Sequence, residues 1–263
     1  MTPSGPGGDA ASEGLPETTE DDFLGGALTV IQSRKGHRSG IEAVLIAAMA
    51  PLKSGETLLD IGAGAGVAAL CALKRASGSK AVLVEADSRS ADLARRNIDR
   101  NAMAGRARVE LVDVTQRGAI DRCGLTETVD HAVTNPPFYD PSSSRTSPEK
   151  TGAHVAPDEK LESWVRFAVA ALKPGGSLTL VHRAEALPLV LTAFGRRFGG
   201  VIVLPIHPRP GAPAIRIVVQ GRKGRRGPLS ICPGLVLHDA EGHGFRPEVD
   251  AVLRQGTAFE LSR

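Results

Sequence analysis

From Thr57 to Gly221 short apolar runs alternate with segments patterned for helix, and this alternation constrains the fold more than any other feature of the chain. Strands are expected at Thr57 to Ile61, Lys80 to Glu85, Arg108 to Val112, Val129 to Thr134, Ser177 to His182, Val201 to Pro205 and Ala214 to Gly221. Helices are expected at Val67 to Ala76, Ser88 to Asn101, Asp158 to Leu172 (ended by Pro174-Gly175-Gly176) and Ala184 to Phe194. Strands separated by helices predict a parallel sheet covered on both faces, and near-continuous apolar strands fit that burial. No helical pattern separates the last two strands, so they are expected to pair as an antiparallel hairpin. The fold class is therefore α/β: a Rossmann-like, doubly wound, seven-stranded, mostly parallel sheet with an antiparallel last strand. Only nine residues are aromatic (7 Phe, 1 Tyr, 1 Trp), so aliphatic side chains must do most of the packing, which argues against an aromatic-rich sandwich or propeller.

Ahead of this pattern, residues 1–20 are rich in Gly, Pro, Ser, Thr and acids and are expected to form a disordered leader. Residues 21–54 form a cap segment, read as a strand at Ala27 to Gln32, a loop at Arg34 to Gly40 and a buried helix at Ile41 to Ala50 stopped by Pro51. The α/β domain then runs over 55–222. A C-terminal extension follows over 223–263, with one helix candidate at Pro247 to Arg254.

The apolar run Ile41 to Leu52 contains Glu42 and falls short of the roughly 20 residues a membrane helix needs. The N-terminus lacks a basic segment followed by an apolar one, so no signal peptide is expected. Cys71, Cys123 and Cys232 are far apart and odd in number, which predicts neither disulfides nor zinc and places the chain in a reducing cytoplasm. A metal-free monomer is expected. The net charge of +3 hides an asymmetry: residues 1–22 hold six acids and no Lys or Arg, leaving 32 basic against 23 acidic residues in the remainder. A basic body fits either a polyanionic partner such as RNA or a solubilising surface.

Four constellations carry chemistry. Asp60 to Gly66 reads DIGAGAG where a strand turns into a helix. Gly62, Ala63, Gly64 and Gly66 would let a ligand approach the backbone. Asp60 would repel a phosphate but attract a cationic centre, which favours S-adenosylmethionine over a dinucleotide. Glu85, closing the next strand, can accept from two ribose hydroxyls; Asp87 competes for that role but looks better, like Ser88, as the cap of the following helix. Asp113 follows the third strand, where it either accepts from an adenine amine or caps a helix. Thr134 to Asp140 reads TNPPFYD. Consecutive prolines fix the backbone after Asn135 and remove two N–H donors. The Asn135 amide oxygen and neighbouring carbonyls can then converge on one donor-rich group, such as a planar amine, while Phe138 and Tyr139 offer faces for a base.

These motifs resemble class I S-adenosylmethionine-dependent methyltransferases with an Asn/Asp-Pro-Pro-aromatic motif. GHRSGIEAVLIAA, DDFLGGALTVIQ and HPRPGAPAIRIVVQGRKG further resemble the bacterial tRNA(Val) adenine-N6 methyltransferase family, over about residues 20–238. The resemblance implies methyl transfer to adenine N6 in tRNA. Asp60, Gly62, Gly64, Glu85 and Asp113 would hold the cofactor; Asn135 and the Pro136 carbonyl would hold the amine, with Pro137 shaping the turn and Phe138 stacking on the base. That family commonly has Tyr at position 138; Phe keeps the ring and loses the hydroxyl. An alternative within the enzyme class is a protein glutamine-N methyltransferase, and one from another class is a non-catalytic RNA-binding module. His37 and Arg38 fit a substrate mouth or a solvated loop. Arg145 and Lys150 fit an RNA-ordered loop, and Arg222 and Arg225 fit phosphate contacts or a solubilised edge. Trp164 reads as core packing.

Overall fold

The computed structural model of the protein describes residues 17–36, 38–137 and 157–261. His37, Phe138, Tyr139, Arg145 and Lys150, and the leader up to residue 16, lie outside the described residues. The central parallel strands are β3 (Thr57–Ile61), β4 (Lys80–Glu85), β5 (Ala107–Leu111), β6 (Val129–Thr134) and β7 (Leu172–Arg183). Next come β8 (Phe198–His207) and β9 (Arg216–Lys223), and β9 lies between β7 and β8, antiparallel to both. The seven expected strands are thus present. Two dipeptide strands, β10 (Ser230–Ile231) and β11 (Leu235–Val236), extend the sheet beyond β8 and bring it to nine.

Alternate side chains of each central strand enter different cores. Leu58 and Leu83 pack under α1 (Ile41–Met49), α2 (Val67–Arg75) and α3 (Ser88–Arg100), whereas Leu59, Ile61 and Val84 pack under α4 (Ala119–Cys123), α5 (Pro157–Ala171) and α6 (Leu187–Phe194). Burying one such Leu completely contributes about 1.5–3 kcal/mol. This two-sided burial explains why the strands read as apolar runs rather than as alternating ones.

Four sequence expectations need correction. The leader does not extend to residue 20, because Thr18–Phe23 forms β1, paired antiparallel with β2 (Leu28–Ser33). The cap is therefore a hairpin plus α1, with one strand more than expected. The acids of β1 are held by partners: Arg100 meets Glu20, Arg38 meets Asp21, and the Thr29 hydroxyl donates to Asp22. β7 starts at Leu172 rather than Ser177, and the pairing with β6 steps from Val129↔Leu172 to His131↔Ser177 across the Pro-Gly-Gly segment. The short α4 was not foreseen; Gly118 and Gly124 bracket it, both left-handed. The C-terminal extension is integral to the fold: α7 (Pro247–Gln255) packs on α1 and on the hairpin tip, where a Cβ at Gly25 would stand 2.8 Å from the Arg254 carbonyl oxygen.

Candidate active site

The sheet reverses its winding between β3 and its neighbours β4 and β6, and ligands of such sheets bind in the crevice at the carboxyl ends of the strands there. A cavity of about 260 Å³ occupies this place, walled by Gly62, Gly64, Glu85, Asp113, Asn135 and Trp164 among others. The glycine turn builds its floor. Gly62, Gly64 and Gly66 all have left-handed φ, at 66°, 56° and 87°. The N–H groups of Gly62 and Ala63 donate to the Val84 carbonyl (2.8 and 3.1 Å), pinning the turn to β4. A Cβ at Gly64 would meet no atom within 4 Å, so that glycine keeps its side of the turn open to a ligand. Gly66 serves packing instead, since a Cβ there would stand 2.8 Å from Leu83.

Asp60 does not line the cavity, contrary to the direct role expected for it. It is buried under the turn, where its Oδ2 accepts from the Ala69 N–H at 3.0 Å in the first turn of α2. Burial pushes its carboxyl up to about 7; the Ala69 hydrogen bond opposes the shift and the nearby charge of Glu85 adds to it.

The two other acids do line the cavity. Glu85 Oε2 accepts from the Gly64 N–H at 2.8 Å, and Oε1 accepts from the N–H groups of Ala86 and Asp87. Three backbone donors thus fix the carboxylate and leave one acceptor site, on Oε2, for a ligand hydroxyl. Asp113 Oδ1 accepts from the Thr115 N–H and hydroxyl, closing a local turn rather than capping a helix. Asp87 caps α3 by accepting from the Ser90 N–H, and that bond holds its carboxyl below the usual range. Leu93, Val84 and Val112 give the cavity an apolar wall of the kind a purine ring needs.

At the end of β6 the Thr134 hydroxyl donates to the Ile61 carbonyl at 3.0 Å and aligns the segment that follows. Asn135 and Pro137 line the cavity, and Pro136 is buried beneath them. The Asn135 Oδ1 is itself buried and accepts no hydrogen bond from a described residue. A buried acceptor without a donor costs ~1–3 kcal/mol. Here it stands beside the cavity, available to a ligand N–H.

Several lining residues escaped the sequence reading. Gln32, Ser33 and Ser39 come from the cap. The Gln32 side chain is buried; its Oε1 accepts from the Ser39 N–H at 2.8 Å and its Nε2 donates to Asp21. Arg38 also turns to Asp21, at 2.7 Å, and is not part of the cavity wall. Asn97, fully buried on α3, accepts from the Ile31 N–H and donates to the carbonyls of Ile31 and Ala65, tying the hairpin to the glycine turn. Trp164 is not simple core packing: a Cβ at Gly62 would stand 2.3 Å from its Cη2, so the ring lies directly on the turn and faces the cavity.

Arg222 and Arg225 lie elsewhere. Arg222 pairs with Ser177 at the start of the parallel run of β7, whereas the cavity sits at the strands' carboxyl ends. The separation is about 20 Å at ~3.3 Å per strand residue. Both arginines line a separate cavity of about 280 Å³ with Gly199 and Gly200, so they do not belong to the mouth of the candidate site. Among the described residues, no cluster of His, Cys, Asp and Glu could hold a metal, and no helix is long and apolar enough to cross a membrane.

Known proteins share this arrangement. A tRNA1(Val) (adenine(37)-N6)-methyltransferase of Trichodesmium erythraeum is 28% identical over 86% of this chain and 93% of its own length. The crystal structure of a predicted O-methyltransferase from Agrobacterium tumefaciens superposes with a TM-score of 0.70 at 31% identity, over 83% of this chain and 98% of that one. A Thermus thermophilus 16S rRNA N2 G1207 methyltransferase, solved with S-adenosylmethionine and guanosine, shares the fold at a TM-score of 0.54 and 23% identity, over 79% of this chain and 50% of that one. The family model of the methyltransferase small domain matches residues 39–201, which takes in every cavity-lining residue except Gln32 and Ser33. The protein is thus a methyltransferase whose cofactor is S-adenosyl-L-methionine, and the chain belongs to the methyltransferase small domain family.

Proposed function

We infer that the protein methylates the exocyclic amino group of a nucleobase, adenine N6 in tRNA. The observation that carries this reading is the donorless Asn135 Oδ1 beside the cavity. An exocyclic amine has two N–H donors and a lone pair spread into its ring, which makes it a poor nucleophile. The Asn135 oxygen and the Pro136 carbonyl would accept from the two N–H groups and favour the pyramidal geometry of attack, so they stabilise the transition state more than the ground state. Pro136 and Pro137 carry no N–H that could compete for these acceptors. Phe138, next in the chain, supplies the stacking face in this reading.

The site fits the cofactor. Gly62 and the open face of Gly64 would receive its amino-acid end, Glu85 a ribose hydroxyl and Asp113 its adenine amine, against Leu93 and Val112. S-adenosylmethionine supplies the electrophilic methyl group. The chain's own residues orient the acceptor in line with it and need no covalent nucleophile. Several relatives named tRNA1(Val) (adenine(37)-N6)-methyltransferase support this substrate.

Asn135→Ala tests the assignment. Its affinity for S-adenosylhomocysteine should match that of wild type while kcat falls roughly 10²–10³-fold, the usual cost of losing one polar partner of the transition state. A loss of cofactor affinity as large as the loss of kcat would show that Asn135 serves the cofactor instead.

A further inference from the structure

Beside the catalytic cavity lies a second cleft of about 500 Å³, between α5 and the β5–α4 connection. Val114 lines both, so the two adjoin at that residue. Helix α5 lines both as well: Trp164 faces the catalytic cavity, while Ser163, Arg166, Phe167 and Ala170 face the cleft at helical spacing. Opposite them stand Thr115, Arg117 and Gly118. Ile120 and the buried Phe167 add apolar surface to this wall, and among the described residues no acidic one lines it. Arg117 and Arg166 are exposed, and neither forms an ion pair with a described residue. Some arginines of the fold are paired, Arg197 on Glu162, Arg38 on Asp21 and Arg100 on Glu20. Others, such as Arg89, Arg96 and Arg196, are like Arg117 and Arg166 in forming no ion pair with a described residue. What sets these two apart is that they share one cleft.

We propose that this cleft carries the phosphodiester backbone of the substrate RNA, with Arg117 and Arg166 on successive phosphates. The proposal rests on the nucleobase reading above. A base drawn into the catalytic cavity leaves its own backbone at the mouth, and the flanking phosphates must pass over an adjoining wall. The wall that adjoins through Val114 presents two guanidiniums that no carboxylate of the described residues pairs with. Guanidinium forks suit phosphate oxygens; the hydroxyls of Ser163 and Thr115 line the same wall but already donate, to the Glu159 carbonyl and to Asp113. The charge expected from sequence to meet RNA, at Arg222 and Arg225, is on the opposite edge of the sheet and provides an internal control.

The test uses the full chain and unmodified tRNA. Binding is followed by fluorescence anisotropy across a salt series for wild type, Arg117→Gln/Arg166→Gln, Arg117→Glu/Arg166→Glu and Arg222→Glu/Arg225→Glu. The two cleft variants should weaken tRNA binding about tenfold or more at low salt and flatten the slope of log K against log salt by about one per lost phosphate contact. They should leave S-adenosylhomocysteine affinity and the melting temperature unchanged, because both side chains are exposed. The far-edge variant should bind like wild type. If wild type binds and methylates tRNA and the cleft variants do so equally, the cleft assignment falls while the RNA reading stands. An equal loss in the cleft and far-edge variants also overturns it, since diffuse charge would then explain binding. If wild-type protein neither binds nor methylates tRNA, the nucleobase reading falls and the cleft assignment falls with it.

Discussion

Asp60→Asn should make folding stability less sensitive to pH, and the size of the effect follows from the burial of that carboxyl. The unfolded chain ionises Asp60 near 3.8, and burial under the glycine turn raises the folded value to about 7. Below pH 3.8 both states hold the proton and burial costs little. Between 3.8 and about 7 the unfolded chain releases the proton while the folded chain keeps it, so stability falls as pH rises. Above about 7 both states are ionised and the folded protein bears the full cost, about 4 kcal/mol at 1.36 kcal/mol per pH unit. An amide at this position still accepts from the Ala69 N–H and does not titrate. Urea unfolding of both proteins between about pH 5 and 8 isolates the term, because every other titrating group cancels in the difference. The variant should gain roughly 3 kcal/mol on wild type across that span. Above about pH 7, where wild-type Asp60 is ionised, the variant's affinity for S-adenosylmethionine should fall below that of wild type, since the amide carries no charge to attract the cofactor's cationic centres. A difference flat in pH would refute the sealed environment assigned to Asp60.

Gly62→Ala forces a methyl to within 2.3 Å of the Trp164 ring at a φ of 66°. Backbone strain of ~1–2 kcal/mol and overpacking of ~1–3 kcal/mol should lower stability, read by urea unfolding, and should weaken cofactor binding. Adding Trp164→Ala should restore the packing share; an equal loss with and without the ring would contradict the contact. Asn97→Ala strands the Ile31 N–H and the Ala65 carbonyl, for about 2–4 kcal/mol of lost stability. Hydrogen exchange should show the Ile31 amide deprotected; unchanged protection there would mean that Asn97 does not hold the hairpin to the turn.

The order of the central elements was legible because each strand is buried on both faces and each helix is punctuated by glycine, proline or a capping acid. β3, β4 and β6 fall where their apolar runs place them. β1 was missed because Glu20 read as the end of a solvated leader and Asp21 and Asp22 as an unpatterned start of the cap; Arg100, Arg38 and Thr29 hold these acids in the folded hairpin. The same limit applies at the site. Glu85, Asp113 and Asn135 stand at strand ends, and topology alone brings them together. Gln32, Ser39 and Trp164 reach the cavity from segments whose place depends on tertiary packing. Trp164 looks like core on a helical face, and nothing in the sequence shows that Gly62 lies under its ring. The basic run at Arg222 and Arg225 was conspicuous in sequence but antiparallel pairing carries it away from the cavity, whereas Arg117 and Arg166 are isolated in sequence and line one cleft in the fold.

The most direct test of transfer to adenine N6 is nucleoside mass spectrometry of unmodified tRNA incubated with the protein and S-adenosylmethionine. Wild type should yield N6-methyladenosine, and Asn135→Ala should yield almost none while still binding S-adenosylhomocysteine. A methyl group found on another nucleoside atom, or on a protein glutamine with tRNA left unmodified, would contradict the assigned acceptor.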